Sequence, residues 1–324
     1  MKILLTGDHG FIGNEIAKQL LERGYFVVGI DNQSKYSTPN DKHTSHKNYK
    51  GFKLDIIKDF EKLDDVFQNE KPDFIIHTAA RIGGIRLFHE EQFELLTINA
   101  RIDANILELA VKHKVNRFVG LSSSMVYENT KVYPSREEDI SIPTSTYGFS
   151  KLALEKMIQG AHEQHGLEFA ICRPFNAVSV GESDFMEGKS SHVLPDLVVK
   201  CLKNDDYITL LGSGEQIRHF THTKDVARGI ILAMESPHKN ETFNISTSKS
   251  TSIKELAKLV WDEVHPNRPF QYKTSAGFRD DVAKRIPDVS KAKRMLGFEA
   301  ETPLVDGVRE VSYFIMKWFV ENNP

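Results

Sequence analysis

Two short stretches of this sequence carry side chains that together can move a proton. Tyr147 and Lys151 are four residues apart and therefore share one face if this stretch is helical. A tyrosine hydroxyl, with a pKa of about 10, is a poor base at neutral pH, but a neighbouring lysine ammonium lowers that pKa. The serine run at residues 122–124 offers a hydroxyl to orient the same substrate oxygen. The pattern predicts removal of a proton from an alcohol, although a Tyr–Lys pair on a solvated helix face would look the same.

A glycine-rich turn near the start of the chain predicts a phosphate-binding loop. The turn Gly7-Asp8-His9-Gly10-Phe11-Ile12-Gly13 separates a short apolar run from a helix-like run at residues 11–23. Glycines there let the backbone approach a pyrophosphate, and the helix N-terminus supplies amide donors. Asp31 ends the second apolar run, where an acid binds both ribose hydroxyls of an adenosine and repels a 2′-phosphate. Together these features predict NAD as the cofactor, with Asp8 as an unusual acid inside the loop.

The alternation of apolar and amphipathic stretches predicts the fold that must position these groups. Strand-like runs occur at 74–77, 117–122 and 168–173, and helix-like stretches at 93–112 and 147–164. Near-continuous apolar strands joined by helices predict an α/β fold with a doubly wound parallel sheet. We expect residues 1–174 to form an NAD-binding Rossmann domain to which 217–247 return, and residues 175–324 to form a smaller α/β substrate-binding domain. The polar segment 34–50 is predicted to be a surface loop.

Composition excludes several classes of protein. The 324 residues include 42 Lys and Arg against 45 Asp and Glu, a net charge of −3, which argues against a nucleic-acid partner. Cys172 and Cys201 are the only cysteines, so a disulfide framework and a Cys-rich zinc site are excluded, and no metal site is predicted. The chain shows neither a signal-peptide pattern nor a long apolar stretch, so we expect a cytoplasmic protein without a membrane partner.

The motifs occur in an order that resembles the extended short-chain dehydrogenases/reductases, in particular their nucleotide-sugar epimerase/dehydratase family. The resemblance covers nearly the whole chain and rests on residues 6–13, Asp31, Asp55, 77–80, Asn99, 122–124, Tyr147 with Lys151, 173–176, 211–218, 224–226, 288–292 and 296–297. Such ordered matching is far more specific than any one motif. It implies a nucleotide-diphosphate sugar as the substrate and NAD as the cofactor.

The motifs and the resemblance together assign candidate residues to three roles. The catalytic candidates are Tyr147, Lys151, Ser123, Ser124 and His192. The cofactor-binding candidates are Gly7, His9, Gly10, Phe11, Ile12, Gly13, Asp31, Asn32, Asp55, Ile56, Thr78, Ala79, Ala80, Asn99, Ser122, Tyr147, Lys151 and Pro174. The substrate-binding candidates are Gly83, Gly84, Met125, Asn176, His192, Val193, Leu194, Arg218 and Arg279, with Arg285 as a further arginine that resembles a diphosphate clamp.

Departures from the family pattern narrow the expected reaction. The 4,6-dehydratases carry an acid pair where this chain has Ser124 and Met125, and methionine cannot transfer protons. Residues 80–85 and 191–195 resemble GDP-fucose synthase and its 3,5-epimerase relatives, in which His192 would be the acid. The cysteine base of those relatives would fall at Met125, and Asp31 favours NAD over the NADPH of GDP-fucose synthase. His192 therefore acts as an acid, hydrogen-bonds a sugar or simply caps a helix.

The remaining reaction is oxidation of the sugar C4 hydroxyl to a 4-keto intermediate. The oxidation transfers a hydride from C4 to NAD. If the keto sugar takes that hydride back on its opposite face, the protein is an NDP-sugar 4-epimerase, which is the interpretation we favour. The alternatives are a 4-dehydrogenase that releases the keto sugar and a GDP-fucose-synthase-like 4-keto reductase. A non-catalytic NAD-binding scaffold or an RNA-binding relative would be expected to lose the Tyr–Lys pair or to carry a basic face. The nucleotide base and the sugar stay open. The resemblance implies a homodimer through the Tyr147-bearing helix at 147–164 and the helix before it at 93–112. The apolar excess on 93–112 is consistent with such an interface, but a helix buried inside one subunit would look the same.

Overall fold

The computed structural model of the chain describes residues 1–34, 42–181, 192–204, 206–277 and 282–322. Its strands are β1 (Lys2–Thr6), β2 (Phe26–Asp31), β3 (Tyr49–Lys53), β4 (Phe74–His77), β5 (Arg117–Leu121), β6 (Glu168–Pro174), β7 (Ala177–Val178), β8 (Ile208–Leu211), β9 (Ile217–Arg218), β10 (Thr221–His222), β11 (Glu241–Ile245), β12 (Thr251–Ser252) and β13 (Tyr272–Ser275). Its α-helices are α1 (Phe11–Glu22), α2 (Phe60–Glu70), α3 (Ile85–Glu90), α4 (Gln92–Lys112), α5 (Thr146–His165), α6 (Val193–Lys203), α7 (Thr223–Glu235), α8 (Ile253–Val264), α9 (Ser290–Leu296) and α10 (Leu304–Asn322).

Seven strands form one parallel sheet in the order β11-β6-β5-β4-β1-β2-β3. The strand order reverses direction between β1 and β4. The connections that leave the carboxyl ends of these two strands therefore run in opposite directions and open a crevice, which is where open α/β sheets bind ligands. The predicted doubly wound parallel sheet is therefore confirmed. Strand β11 pairs with β6, so the chain returns to the sheet after the segments that carry β7 to β10.

Helices cover both faces of the sheet, which explains why its strands are apolar almost throughout. One face packs against α1 and α7 through residues such as Leu20 and Ile230, which are fully buried. The other face packs against α2, α4 and α5, with Ile106 and Leu154 fully buried. No helix in the described part of the chain is long and apolar enough to span a membrane.

A third apolar cluster lies outside the main sheet and joins α6, α8 and α10. Trp261 of α8 is its largest buried side chain, and its indole N–H donates to the carbonyl of Arg268 over 3.2 Å. Val198 of α6 and Ile315 of α10 are fully buried in the same cluster. Helices α6, α8 and α10 therefore share a core of their own beside the sheet.

A buried ion pair ties helix α5 to strand β6. Arg173 donates through Nε and Nη2 to the two carboxylate oxygens of Glu155, over 2.8 and 2.7 Å. Both side chains are nearly inaccessible to solvent, at 2% and 1% exposure. The Ser122 hydroxyl donates to Glu155, and Arg173 also donates to the Tyr127 hydroxyl. Each charge is therefore paired and hydrogen-bonded, which is the condition under which a buried pair is tolerated.

The segment predicted to be a surface loop, 34–50, is only partly one, and this prediction is corrected where the structure describes the segment. Lys42–Ser45 form a 3-10 turn from which His43 points inward, with 5% of its surface exposed. Tyr49 already belongs to strand β3 and hydrogen-bonds Asp8 of the glycine-rich turn. His43 and Tyr49 of this polar segment both contact the buried carboxylate of Asp8, and such a contact cannot be predicted from hydropathy.

We expect the Glu155→Gln variant to lose stability, because it leaves the buried Arg173 charge without its carboxylate. Removing one partner of a buried pair costs about 3–5 kcal/mol, which urea denaturation would measure. Lys62→Gln, which removes an exposed ion pair with Asp59, is the matched control and should change the unfolding midpoint little. Equal midpoints in the two variants would contradict this role of the pair.

Candidate active site

A cleft of about 1630 Å³ opens at the carboxyl ends of the parallel strands. Its floor is formed by the turns after β1, β2, β4 and β5, and the start of α6 and strand β9 line the opposite side. Sites for one drug-sized ligand measure roughly 300–1,000 Å³. This cleft therefore has room for a dinucleotide and a second ligand together.

The glycine-rich turn after β1 has the geometry of a phosphate-binding loop. Gly7 has a φ of +72°, and a Cβ there would lie 2.9 Å from the backbone nitrogen of Ala79. A Cβ on Gly13 would overlap the carbonyl oxygen of Gly7. Helix α1 begins directly after Gly10, so its free N–H groups face the cleft. Position 7 requires glycine because its φ is positive, and position 13 requires glycine because there is no room for a side chain. His9, Phe11 and Ile12 complete this wall of the cleft.

The end of β2 presents an acid to the same part of the cleft. The Asp31 carboxylate accepts hydrogen bonds from the backbone N–H groups of His9, over 3.3 Å, and Gln33, over 2.6 Å. Burial is the main cause that raises the pKa of Asp31 above its ordinary value, and these two bonds oppose it. The Asn32 amide donates to Asp55 over 3.2 Å, and Ile56 follows on the same rim. The predicted adenosine residues thus lie side by side.

The turn after β4 is held by two threonines and an asparagine. Thr78 donates to the carbonyl of Thr6 over 2.7 Å, which brings Ala79 and Ala80 close to the glycine turn. Asn99 was predicted to contact the cofactor, but it is 1% exposed and is not among the residues that line the cleft. Its amide instead accepts from the N–H of Arg81 and donates to the Arg81 carbonyl. Asn99 therefore lies behind the cleft wall and holds the backbone of Arg81.

Tyr147 and Lys151 lie together on the first turns of α5 and face the cleft. The helix is started by Ser145, whose hydroxyl accepts from the N–H of Gly148 over 3.1 Å. Lys151 donates through Nζ to the carbonyl of Leu121 at the end of β5, over 3.0 Å. The Tyr147 ring stacks on Phe88, with ring centroids 4.7 Å apart. The side chains are each 4% exposed, so they do not lie on a solvated helix face.

The surroundings of this pair shift both pKa values. Burial raises the pKa of Tyr147, while a hydrogen bond to Ser123 and the positive charge of Arg285 act to lower it. Burial lowers the pKa of Lys151, and the carboxylate of Asp103 opposes that shift. In this environment each added positive charge favours the phenolate, which is the form that can take up a proton.

Arg285 lines the same part of the cleft as Tyr147, Ser124 and Met125. Its Nη1 donates to the Ser124 hydroxyl over 3.2 Å, and its role as a diphosphate clamp stays a prediction. Met125 is buried and packs with Leu95 and Tyr147, so no proton-transfer group occupies that position. Phe88 was not predicted, because α3 is too short to give a helical pattern in the sequence.

The predicted substrate residues are distributed around the other side of the cleft. Asn176, His192, Val193, Leu194 and Arg218 all line it, as do Gly83, Pro174 and Ser122. Arg218 is 7% exposed, and its Nη1 donates to the carbonyl of Ile217 over 2.9 Å. Gly84 precedes α3 as its N-cap and does not line the cleft. Arg279 lies outside the described residues.

A parallel doubly wound sheet with this glycine turn and a buried Tyr–Lys pair defines an NAD-binding oxidoreductase of the short-chain type. Comparison with known proteins refines the class: residues 3–246 match the model of the NAD dependent epimerase/dehydratase family. The chain belongs to that family. NAD is the cofactor of the family, which confirms the cofactor predicted from the glycine turn and Asp31.

Relatives in this family catalyse several reactions on the same scaffold. A UDP-glucose 4-epimerase from Halalkalibacterium halodurans is 29% identical, with 96% of this chain and 94% of that protein covered. A UDP-N-acetyl-alpha-D-glucosaminuronate decarboxylase from Bacillus cytotoxicus is also 29% identical, over 99% of this chain and 98% of that protein. The crystal structure of UDP-glucose 4-epimerase from Thermotoga maritima with UDP-glucose superposes with a TM-score of 0.86 and is 29% identical in sequence. The match covers 98% of this chain and 100% of that one.

We expect the Gly13→Ala variant to bind NAD weakly, because the added methyl group overlaps the Gly7 carbonyl and must displace the turn. A loss of at least about tenfold in affinity corresponds to about 1.4 kcal/mol, and isothermal titration calorimetry would measure it. Gly160→Ala is the matched control, since a Cβ at Gly160 in α5 meets nothing within 4 Å. Unchanged NAD affinity in Gly13→Ala would contradict the assignment of this turn to the pyrophosphate.

Proposed function

We propose that this protein is an NAD-dependent nucleotide-sugar 4-epimerase. The observation that carries the proposal is the meeting of Tyr147, Lys151 and the serine pair in one cleft that also contains the glycine turn. An alcohol carbon of a bound sugar can there lie between a proton acceptor and the nicotinamide. The family assignment supports the coarser statement, an NAD-dependent enzyme of the epimerase/dehydratase type.

In the proposed reaction Tyr147 takes the proton of the sugar C4 hydroxyl. NAD, when bound, supplies the hydride acceptor and later the hydride donor. Ser123 or Ser124 hydrogen-bonds the C4 oxygen, and the Lys151 ammonium favours the phenolate through its charge. Once C4 has become a ketone, the sugar turns its other face to the cofactor. Tyr147 then returns the proton to the oxygen as the hydride returns to carbon.

The surroundings of Tyr147 favour simple return of the hydride over further chemistry on the sugar. Elimination of water or epimerisation at C3 and C5 needs a proton-transfer group beside the serines. Met125 is apolar, buried and packed against Tyr147, and so supplies none. A 4-epimerase needs no group there. His192 lies across the cleft, where we propose that it hydrogen-bonds the sugar.

The nucleotide diphosphate is proposed to lie between Arg218 and the N-terminus of α6. Arg218 places a guanidinium in the cleft, and Val193 and Leu194 begin the helix whose free N–H groups point toward it. Asn176, which also lines the cleft, offers an amide on the same side. In this proposal residues 1–174 with 217–247 bind NAD, and the remaining residues after 174 close over the sugar nucleotide.

The second candidate is a net 4-dehydrogenase that releases the 4-keto sugar. The two reactions share the first half, so they differ only in what leaves the cleft. Incubation with UDP-, GDP- and dTDP-hexoses, followed by product analysis and absorbance of NADH, separates them. The epimerase converts substrate to its C4 epimer without net NADH, and stoichiometric release of a keto sugar would rule it out.

We further propose that the protein forms a homodimer through α4 and α5. Phe93 of α4 is 74% exposed and Phe149 of α5 is 45% exposed, so both helices present aromatic rings outward. Light scattering after gel filtration measures the mass in solution.

The Tyr147→Phe variant is expected to lose turnover by at least about 10²-fold, because the reaction loses its proton acceptor. NAD binding should persist, since the ring and its stacking on Phe88 are retained. The measurements are product formation from the active nucleotide sugar and NAD affinity. Tyr313→Phe, at a 69% exposed position, controls for loss of a tyrosine hydroxyl elsewhere. Retained turnover in Tyr147→Phe would exclude the proposed base.

Replacing Arg285 by methionine is expected to move the pH–activity profile to higher pH. The Arg285 charge lowers the pKa of Tyr147, so its removal raises that pKa and delays formation of the phenolate as pH increases. The limb of kcat that rises with pH should therefore shift upward, with Arg285→Lys intermediate. Arg294→Met, at an exposed position on α9, is the control. A shift to lower pH would contradict the assigned direction.

A further inference from the structure

A buried polar cluster joins the phosphate-binding turn to the segment before β3, away from the proton-transfer groups of the proposed reaction. The carboxylate oxygen Oδ2 of Asp8 is 3.3 Å from Nε2 of His43 and 3.7 Å from Nε2 of His9. The Tyr49 hydroxyl donates to the same oxygen over 2.6 Å. Asp8, His9 and His43 are 1%, 7% and 5% exposed. Two imidazoles and a carboxylate therefore converge in the interior.

The sheet leaves space for this cluster through two glycines on neighbouring strands. Gly29 of β2 and Gly51 of β3 are directly opposite each other in register. A Cβ on Gly29 would overlap the Asp8 carboxylate and lie 2.7 Å from the Tyr49 hydroxyl. A Cβ on Gly51 would overlap the Tyr49 side chain. The backbone is thus shaped around the cluster, at the cost of two glycines within strands.

The charge of Asp8 requires compensation in this setting. A buried carboxylate is costly unless it is paired with a positive charge or coordinates a metal. Tyr49 is a neutral donor, and the second carboxylate oxygen, Oδ1, has no hydrogen-bond partner within the described ranges. A cation bound by all three side chains would supply that compensation.

We propose that Asp8, His9 and His43 form a binding site for a divalent transition metal of the zinc class. The donor atoms of the three residues all lie within 4.8 Å of one another. Nitrogen from imidazole and oxygen from carboxylate are ligands that Zn²⁺ and Co²⁺ accept, whereas Mg²⁺ and Ca²⁺ prefer oxygen alone. Three protein ligands leave a coordination position for water. The site is separate from the proton-transfer groups and does not depend on the proposed reaction.

The metal site would connect two parts of the chain that lie at the border of the cofactor region. Asp8 and His9 belong to the turn after β1, and His43 belongs to the segment that leads into β3. The backbone N–H of His9 also donates to Asp31, so an ion here fixes the turn next to the adenosine end of the cleft. We therefore expect bound metal to raise the thermal stability of the protein.

The test uses the full-length chain without an affinity tag, dialysed against a chelator and then titrated with Co²⁺. The wild-type protein is expected to bind one Co²⁺ per chain, with visible absorption bands that Zn²⁺ abolishes by displacement. His43→Asn should weaken Co²⁺ binding by at least about tenfold, or about 1.4 kcal/mol. His165→Asn, at an exposed position at the end of α5, is the matched control and should bind as the wild type does.

Two results would overturn the proposal. One is a wild-type chain that binds no Co²⁺ at neutral pH. The other is a His43→Asn variant that binds Co²⁺ as tightly as the wild type while its circular dichroism spectrum shows a folded protein. Asp8→Asn provides a second variant, since it keeps the side-chain volume and removes the charge. Metal-dependent thermal stabilisation of the wild type that both variants lose would support the site.

Discussion

The ion pair between Glu155 and Arg173 is the interaction on which the placement of the catalytic groups depends. Glu155 lies two helical turns after Tyr147 on α5, and Arg173 lies on β6. Their double hydrogen bond fixes the rotation of α5 about its own axis relative to the sheet. Because the Ser122 hydroxyl joins the same carboxylate, the end of β5 is held by the same group. The phenol, the ammonium and the serines therefore take their positions from a network that lies behind them.

The network continues away from the cleft. Tyr127, which accepts from Arg173, donates to the side-chain oxygen of Asn244 at the far edge of the sheet, over 2.8 Å. The Asn244 amide donates to the carbonyls of Ser135 and Asp288. These bonds tie the irregular segment after β5 and the approach to α9 to the sheet. Because each of these buried hydrogen bonds has one partner, the network specifies a single arrangement of the core, whereas apolar packing alone is less specific.

Much of the fold could be predicted from the sequence because the strands are buried on both faces. The strand Phe74–His77 has the predicted bounds, because a continuous apolar run stops there at polar residues. The cofactor was predicted equally well, because the glycine turn after β1 and the acid at the end of β2 are local patterns in the sequence. The roles of the site residues stay predictions, though most of those described do line one cleft.

What could not be predicted depends on contacts between distant parts of the chain. Asn99 has the family position of a cofactor residue, yet its amide faces the Arg81 backbone. Arg285 reaches Ser124 across 161 positions of sequence, and no local pattern indicates which arginine does so. His43 looks like one polar residue in a polar segment until Asp8 is found against it. In each case the partner, which the sequence does not identify, decides the role.

The separation between the supporting network and the cleft has a consequence for how such a protein changes over evolutionary time. Glu155 and Arg173 do not line the cleft, whereas Met125, Phe88 and Arg285 do. Substitutions among the lining residues can therefore alter the chemistry without loosening the helix that carries the phenol. The same framework can therefore carry different chemistries, because the side chains that decide the reaction and the side chains that hold the helix are different ones.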